Sequence, residues 1–351
     1  MKKSRLHNRV NREILIRQML ESTESRTTIS FYKYHHIDNP LIFRDELFLM
    51  LDILGTKGRI YIAQEGINGQ ISVPSQNVEL FKETLYSISF LKGIRLNIAV
   101  DDNGKSFFKL TIKVRPKIVA DGLDDSFFNP ADTGVHLTAE DFNRLTDDPN
   151  TILIDMRNHY ESEVGYFDGA IRPDVETFRE ELQIAEDLLK ESKNEHKNLV
   201  MYCTGGIRCE KASAWMKHQG FKNVFQLDGG IIQYAKQVKE KGLKNKFKGV
   251  NFVFDERLGE RISDEIVAKC HQCGQPCDTH KNCANDACHL LFIQCEDCAA
   301  QQHSCCSQKC ADFIQLPHEE QTLRRKTETF NGTKFGKGRY KAHHSTEGLI
   351  Q

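Results

Sequence analysis

A cysteine at the end of a buried apolar run constrains this chain more than any other feature. Residues 199–202 have the composition of a buried strand, and Cys203 opens the segment Cys-Thr-Gly-Gly-Ile-Arg before a helical pattern. Gly205 and Gly206 allow the backbone to turn its N–H groups inward, the helix adds its positive end, and Arg208 adds a fixed charge. All three lower a thiol pKa, so we predict a reactive thiolate. The alternative is a buried structural cysteine.

The sequence around Cys203 alternates strands with helices. The predicted strands are 151–157, 199–203 and 223–227, and the predicted helices are 140–145, 178–190 and 206–220. Such alternation indicates a parallel sheet whose site lies at the carboxyl ends of its strands. The whole chain is therefore predicted to be a multi-domain α/β protein with this domain at its centre.

Residues 28–119 are predicted to form a smaller α+β domain. Their order is β-α-β-β-α-β, with a Gly-rich turn at 66–69 and a last strand within 107–119, which is the ferredoxin-like split βαβ arrangement. Strand alternation places four cations on one face of the last strand: Lys109, Lys113, Arg115 and Lys117. This face is either an ordinary solvated face or a stripe that binds nucleic-acid phosphates.

Two further segments flank this domain. Residues 1–27 are predicted to form a basic amphipathic helix whose basic residues are Arg5, Arg9, Arg12 and Arg17. Its apolar side is predicted to carry Leu6, Val10, Ile14, Ile16 and Leu20. Residues 120–135 are rich in Asp and contain Pro, so they are predicted to be a linker.

The cysteines of the region 247–316 indicate a metal site in a small irregular domain. Ten of the twelve cysteines lie between Cys270 and Cys310, which is enough for two tetrahedral zinc sites. The best-defined set is two C-x2-C pairs about twenty residues apart, namely Cys270, Cys273, Cys295 and Cys298. Structural zinc is favoured over reduced or disulfide-paired cysteines and over an iron–sulfur cluster. Clustered cysteines in an otherwise cysteine-poor chain favour a reducing compartment, and we predict a cytoplasmic protein.

Residues 317–351 form a basic and aromatic tail. Phe330 and Tyr340 alternate with cations that are candidates for RNA contacts, namely Arg324, Arg325, Lys337 and Arg339. The alternative is a disordered solubilising tail. The balance of 48 basic and 49 acidic residues says nothing about partners. No apolar run approaches the roughly 18 residues of a membrane span, so no membrane partner is expected.

The stretch around Cys203 resembles the rhodanese superfamily. Asp155 with Arg157, Glu161 and residues 165–171 resemble its D-x-R, E and G-H-I-x-G-A elements, and 220–231 resembles its closing G-F-x-x-V-x-x-L-x-G-G. The resemblance implies a rhodanese domain over 136–246. Asp155, Arg157 and Arg208 are predicted to support Cys203 by orienting the loop or contacting phosphate, and Gly205 and Gly206 support it through the turn of the backbone. The four residues between Cys203 and Arg208 match the loop of sulfurtransferases and make phosphatase activity unexpected.

Nearly the whole chain resembles the bacterial tRNA uridine hydroxylase family. The most specific segments are GINGQ, CTGGIRCEK, FVFDER and CHQCGQPCDTHKNCANDACH. The resemblance implies oxygen-dependent 5-hydroxylation of the wobble uridine of tRNA, position 34, to 5-hydroxyuridine, with Cys203 essential. It implies molecular oxygen as co-substrate, an unidentified electron donor and tRNA rather than DNA as partner. The sequence contains no flavin or nicotinamide motif.

Two other function classes stay open. The first is a sulfurtransferase that carries a persulfide on Cys203, and the second is a non-catalytic docking module. Intact Cys203 and Arg208 argue against a docking module, which has no need of an activated loop. The additional domains favour the hydroxylase over the sulfurtransferase, because a small sulfur donor needs none of them. A thiolate can also add to C6 of uracil and raise the electron density at C5.

Overall fold

The computed structural model describes residues 10–190, 196–332 and 338–340. Two compact units are present, and each is built from several stretches of the chain. The first contains the described residues of 1–158, 169–246 and 253–261, and the second contains those of 159–168, 247–252 and 262–351. Among the described helices, none has the length and the apolar character needed to cross a membrane.

The first unit begins with a helix, a five-stranded sheet and two helices on that sheet. The helices are α1 (Arg12–Glu21), α2 (Pro40–Ile53) and α3 (Val78–Tyr86), with 3-10 turns at Ser75–Asn77 and Ser89–Leu91. The strands are β1 (Arg26–Tyr34), β2 (Lys57–Ala63), β3 (Gly66–Pro74), β4 (Asn97–Ile98) and β5 (Leu110–Val114). The strand order is β4-β1-β3-β2-β5, and β5 alone pairs in parallel. The predicted split βαβ core is confirmed.

The fourth strand of that core is not the strand that the sequence indicated. Asn97–Ile98 pairs antiparallel with β1, whereas the predicted strand lies at the opposite edge, parallel to β2. The apolar pattern of the predicted strand does mark buried residues, because Leu110 and Ile112 pack into the core. A two-residue strand has no alternation to detect, so the sequence prediction missed β4.

Helices cover one face of this sheet. Apolar side chains of β1, β2 and β3 alternate towards α2 and α3, and the core contains Ile29, Phe31, Ile60, Ile62, Ile67, Leu47, Phe48, Leu51, Phe81 and Leu85. Helix α2 starts at Pro40 after Asn39, whose side chain accepts a hydrogen bond from the Ile42 N–H. The alternate residues of the same strands are polar or aromatic, and they form the opposite face.

Helix α1 turns a different side inward from the one predicted. Leu15 and Met19 are buried, whereas Ile14 and Leu20 are exposed. Lys105 fixes this orientation, because its ammonium donates to the Met19 carbonyl at 2.7 Å, at the carboxyl end of the helix. Within the described part of 1–27 the helix covers only Arg12–Glu21.

The second domain of the first unit is a four-stranded parallel sheet with order β6-β10-β9-β7. Its strands are β6 (Val135–Leu137), β7 (Thr151–Asp155), β9 (Asn198–Tyr202) and β10 (Val224–Leu227). Its helices are α4 (Ala139–Leu145), α6 (Phe178–Leu189), α7 (Ile207–His218) and α8 (Gly230–Lys241). Between β7 and α6 the chain forms α5 (His159–Ser162) and β8 (Gly165–Phe167). The predicted strands and helices are all present, and β6, α5, β8 and α8 are additional.

The predicted linker 120–135 is packed between the two domains of the first unit. Lys211 on α7 is almost fully buried, and its ammonium lies 2.6 Å from Asp125, 3.6 Å from Asp121 and 2.8 Å from Glu65. A buried ammonium needs such partners, because an uncompensated charge is costly away from water. The cluster therefore holds the turn between β2 and β3 against the helix that follows Cys203.

The second unit contains α5, β8 and the cysteine-rich region. Its further elements are β11 (Phe247–Asn251), β13 (His280–Asn282), β14 (Leu291–Ile293), α9 (Glu296–Gln301), α10 (Gln308–Ile314) and α11 (His318–Arg324), while β12 (Glu260–Arg261) lies in the first unit. Strand β8 pairs antiparallel with β11. Residues 159–168, which the sequence assigned to the domain 136–246, therefore belong to the second unit. Gly165 permits this pairing, because a Cβ there would lie 2.4 Å from the Val250 carbonyl oxygen.

The aromatic residues of the tail pack inside the second unit. The Phe330 ring lies edge-to-face against Phe313 at 4.9 Å, and Tyr340 stacks on Phe292 at 5.9 Å. The Lys309 ammonium lies over the Phe330 ring. These two rings are therefore part of a core, which corrects the expectation that they stack on bases.

Candidate active site

Cys203 lies at the carboxyl end of β9, where the chain turns into α7. The Gly206 N–H donates to the Cys203 sulfur at 3.2 Å, and Gly206 is the residue that caps α7. The Cys203 carbonyl accepts a hydrogen bond from the Ile231 N–H at 3.0 Å. Gly230 permits this approach, because a Cβ on it would lie 2.5 Å from the Cys203 carbonyl oxygen. Two loops therefore hold the sulfur in one position.

The surroundings of Cys203 favour its ionised form. Burial of the thiol raises its pKa, but hydrogen bonds from Cys209 and Gly206 and the charge of Arg208 outweigh burial and bring the Cys203 pKa to about 6. Burial and the neighbouring Cys203 sulfur raise the pKa of Cys209, so Cys209 stays a thiol and a donor. The Arg208 guanidinium lies 5.8 Å from the centre of the Phe254 ring.

Alkylation should report this pKa. With a pKa of about 6, Cys203 is about 90% ionised at pH 7, against about 3% for a free cysteine. We expect its reaction with iodoacetamide, followed by mass spectrometry of the Cys203 peptide, to have a midpoint near pH 6. Arg208→Gln should raise the midpoint by roughly one unit or more. The exposed Arg144→Gln is the control, and equal midpoints in all three proteins would contradict the assigned cause.

The two loop glycines have different roles. Gly206 has φ 99°, and a Cβ there would lie 2.8 Å from the Tyr32 hydroxyl. Gly205 has no left-handed φ, and a Cβ there would meet only Asn97 and Ser30, at an ordinary 4.0 Å. Of the two glycines that were predicted to allow the turn, only Gly206 adopts a conformation that disfavours side chains.

Asp155 and Arg157 form a fully buried ion pair beneath the loop. The guanidinium donates to both carboxylate oxygens, at 2.8 and 2.7 Å. The Arg157 guanidinium also lies 5.6 Å from the ring centre of Tyr202, the residue before Cys203. Because both side chains are inaccessible to solvent, they are not exposed for phosphate contact, and Arg157 instead lies against the residue that precedes Cys203.

A cavity of about 430 Å3 has Cys203, a fully buried residue, in its lining. Its walls are the loop that starts at Cys203, the polar face of the N-terminal sheet and the segment 253–260. The sheet contributes Ser30, Tyr32, Arg59, Tyr61, Asn68, Gln70 and Asn97. This volume lies within the usual range of small-molecule sites. The cavity therefore lies between the Cys203 loop and a wall rich in hydrogen-bonding groups.

Asn97 is one of the wall residues with an unused acceptor. It is 4% exposed, and its side-chain oxygen has no hydrogen-bond partner within the described ranges. Its side-chain nitrogen lies 3.5 Å from the Gly205 carbonyl, which orients the amide. Sequence reasoning missed Asn97, because nothing in the sequence connects β4 with a loop more than one hundred residues away.

The motif FVFDER supplies one rim of the cavity. The Arg257 guanidinium binds both oxygens of Asp255, at 2.9 and 2.6 Å, and Glu260 at 2.8 Å. It also donates to the Asp101 carbonyl at 2.6 Å, which joins this rim to the N-terminal domain. Burial raises the pKa of Glu260 to about 7, against the opposing effect of Arg257. The motif therefore builds the cavity wall.

The cations predicted on the last strand of the N-terminal domain divide into two groups. Lys113 lies beside Tyr61 in the parallel register, and the Arg115 guanidinium lies 5.7 Å from the Tyr61 ring centre. Both are exposed, as is Lys109. Lys117 is different, because β5 ends at Val114 and its ammonium binds two carboxylates and a backbone carbonyl at 2.6 to 2.9 Å. Lys117 is therefore not part of the cationic face.

The four cysteines predicted as metal ligands do lie together. The sulfurs of Cys270, Cys273, Cys295 and Cys298 are all within 4.8 Å of one another. The distance between the Cys273 and Cys295 sulfurs is 3.7 Å, and the Cys295 N–H points to the Cys270 sulfur at 3.4 Å. A second group, which the sequence prediction did not assign, is Cys283, Cys288, Cys306 and Cys310.

The tail cations predicted for RNA are partly engaged within their own helix. Arg324 pairs with Glu320 at 2.6 Å and with Glu328 at 3.5 Å, and Arg325 reaches Gln321 at 3.4 Å. Arg339 is half-buried. Lys337 lies outside the described residues.

The parallel sheet and the Cys203 loop define a rhodanese-like domain. The Rhodanese-like domain family matches residues 138–237. The UPF0176 acylphosphatase like domain matches 26–118, and the Rhodanase C-terminal family matches 248–311. A solved rhodanese-like domain from Anabaena sp. is 17% identical and covers 32% of this chain and 78% of its own, with a TM-score of 0.26.

Similarity extends over nearly the whole chain to proteins named tRNA uridine(34) hydroxylase. The protein from Photorhabdus laumondii is 54% identical over 338 residues, which cover 96% of this chain and 95% of that protein. The protein from Pectobacterium carotovorum is 58% identical over 317 residues, which cover 90% of this chain and 89% of that protein. The chain therefore belongs to the tRNA uridine(34) hydroxylase family.

Proposed function

We propose that this protein hydroxylates C5 of the uridine at position 34 of tRNA and so forms 5-hydroxyuridine. The observation that carries the proposal is a cavity of about 430 Å3 lined by Cys203, whose thiol is activated, in a chain whose relatives bear that name. The wobble base lies in a single-stranded loop, so it can enter a cavity without the unpairing of a duplex. The tRNA substrate and the unpaired cysteines favour the cytoplasm as the compartment.

The reaction is an oxidation that Cys203 assists by covalent addition. The thiolate forms a bond to C6 of the uracil ring, and the electrons of the C5–C6 double bond move towards C5. One atom of molecular oxygen becomes the C5 hydroxyl. The other leaves as water and takes up two electrons and two protons from an external reductant. Loss of the C5 proton and departure of the thiolate then restore the ring, so the protein is an oxidoreductase of the monooxygenase type.

Asn97 is suited to read the uracil. Its free oxygen is an acceptor, and uracil N3 carries a donor. We expect Asn97→Leu to lower kcat/KM for hydroxylation by roughly 10- to 100-fold, because one buried hydrogen bond of about 1–3 kcal/mol is lost. Overall tRNA affinity should change little. Asn103→Leu, an exposed asparagine of the loop after β4, is the control, and full activity in Asn97→Leu would remove this role.

A group of cations on the N-terminal domain is suited to bind tRNA phosphates. The group consists of Lys109, Lys113 and Arg115, together with Arg59 at the cavity wall. We expect Lys113→Glu with Arg115→Glu to weaken tRNA binding by roughly 10- to 100-fold at low salt, and to reduce the slope of log affinity against log salt by about 0.7 per lost contact. Lys82→Glu, on the helix-covered side of the sheet, is the control. Filter binding over a salt series measures both, and an unchanged slope would contradict the assignment.

Structural zinc at Cys270, Cys273, Cys295 and Cys298 is a separate part of the proposal. Four sulfurs within 4.8 Å suit one tetrahedral ion. An ion there would tie the start of α9 to the segment before β13. It lies outside the chemistry at Cys203, and Cys273→Ser should remove one zinc per chain.

Mass spectrometry of tRNA nucleosides tests the function. A strain that lacks the protein should lose 5-hydroxyuridine and its derivatives, and the wild-type chain should restore them. Purified protein with tRNA, air and a chemical reductant should form the nucleoside with one oxygen atom from labelled molecular oxygen. Persistence of 5-hydroxyuridine together with a fall in thiolated nucleosides would instead support the persulfide-carrying sulfurtransferase.

A further inference from the structure

We propose that Cys283, Cys288, Cys306 and Cys310 bind a second zinc ion, so that the cysteine-rich region holds two ions in interleaved sites. All four cysteines are buried, and their sulfurs lie within 4.8 Å of one another. This site is independent of Cys203 and does not rest on the proposed reaction.

The sulfur spacing matches one tetrahedral ion. With a zinc–sulfur distance of about 2.3 Å, tetrahedral geometry separates neighbouring sulfurs by about 3.8 Å. The sulfur of Cys306 lies 3.6 Å from that of Cys288 and 3.9 Å from that of Cys310. An iron–sulfur cluster inserts several inorganic atoms between its cysteines and holds their sulfurs farther apart. The compact group therefore fits a single ion.

Hydrogen-bond donors surround these sulfurs. The Cys306 N–H points to Cys283 at 3.4 Å, and the Gly332 N–H points to Cys288 at 3.3 Å. The side-chain amide of Asn285 points to Cys310 at 3.5 Å. Neutral thiols are weak acceptors, whereas metal-bound thiolates carry charge that such donors stabilise. Three donors on three different sulfurs thus indicate ionised ligands, which a buried site tolerates only with a cation.

The order of the cysteines links the two sites. The eight ligands form four pairs along the chain, 270/273, 283/288, 295/298 and 306/310. The first site contains the pairs 270/273 and 295/298, and the second contains the pairs 283/288 and 306/310, so the two sites alternate along the sequence. The second ion would join the connection between β13 and β14 to the start of α10. The tail also packs against this site at Gly332, where a Cβ would lie 2.4 Å from the Cys288 carbonyl oxygen. Two ions therefore replace a large apolar core in this small region.

Metal analysis of the purified full-length protein tests the inference. We expect two zinc ions per wild-type chain. Both ions should be released when p-hydroxymercuribenzoate reacts with the cysteine sulfurs, and this measurement needs no variant. Cys306→Ser should retain one ion, whereas Cys306→His, which keeps a zinc ligand, should retain two. Cobalt substitution of the wild type should give the absorption of tetrahedral tetrathiolate sites at two equivalents.

Two neighbouring cysteines provide matched controls. Cys277→Ser should keep two ions, because Cys277 is buried in the same region but lies outside the two groups. Cys305→Ser should also keep two ions, because Cys305 contacts Cys283 but is not one of the four ligands. The second site would be overturned if the wild-type chain bound only one zinc ion and Cys306→Ser still bound that ion. Loss of an ion in Cys305→Ser, but not in Cys306→Ser, would overturn its ligand set. Iron with acid-labile sulfide would overturn the choice of ion.

Discussion

Replacement of Cys203 by serine is expected to abolish 5-hydroxyuridine formation, with a loss of at least about 1,000-fold in kcat. A serine hydroxyl is not ionised near neutral pH, whereas the hydrogen bonds and the charge around Cys203 hold its pKa at about 6. The variant should bind tRNA normally, because the cations beside Tyr61 are unchanged. Liquid chromatography with mass spectrometry of tRNA after reaction measures the product.

The serine variant needs controls that separate chemistry from folding. Cys209→Ser should keep most activity, because a hydroxyl can still donate to the Cys203 sulfur. Cys277→Ser should be as active as the wild type. Circular dichroism and tRNA affinity should be the same for all variants. Full hydroxylation by Cys203→Ser would exclude the thiolate from the reaction and leave the cavity as a binding site only.

The Cys203 loop could be predicted because its parts are neighbours in the sequence. Strand, glycines, arginine and helix follow one another within Leu199–His218, and local propensity fixes each of them. The facing wall could not be predicted in the same way. Asn97 and Arg59 reach the cavity from another domain, through a pairing of elements that no local pattern records.

Other differences arise where a local break ends a pattern. In the sequence, polar residues alternate with other residues from Lys109 to Lys117. Strand β5 nevertheless ends at Val114, and Pro116 has no N–H to donate to a neighbouring strand. The rings of Phe330 and Tyr340 read as base-stacking groups, although they complete a core. Composition describes what a side chain can do, and packing decides which of those roles it has.

In the cysteine-rich region, too, sequence spacing predicts one group of residues and only the fold reveals the other. Two C-x2-C pairs were enough to predict the set that contains Cys270 and Cys298, and the structure brings that set together. The second set has one C-x4-C pair and adjacent cysteines at 305 and 306, so spacing alone left its members open. Only the fold distinguishes Cys306, whose sulfur joins the group, from Cys305.

Breaking the Asp155–Arg157 pair is expected to cost about 3–5 kcal/mol of unfolding free energy, because two charge-assisted hydrogen bonds between buried groups are lost. Asp155→Leu removes the two acceptors that the carboxylate offers, and Arg157→Met removes the bidentate donor of that carboxylate. The double variant should lose less than the sum of the two single variants, since both changes remove the same pair. Trp215, the sole tryptophan, lies on α7 and reports the unfolding of this domain in urea.

The exposed pair Arg144–Asp141 provides the matched control, and Arg144→Met should change the free energy of unfolding by less than about 1 kcal/mol. The comparison also separates stability from positioning. If the pair places β9 through Tyr202, the double variant will fold and yet show a shifted alkylation midpoint for Cys203 and a lower kcat. A double variant with wild-type stability, midpoint and kcat would mean that the end of β9 is held by backbone pairing alone.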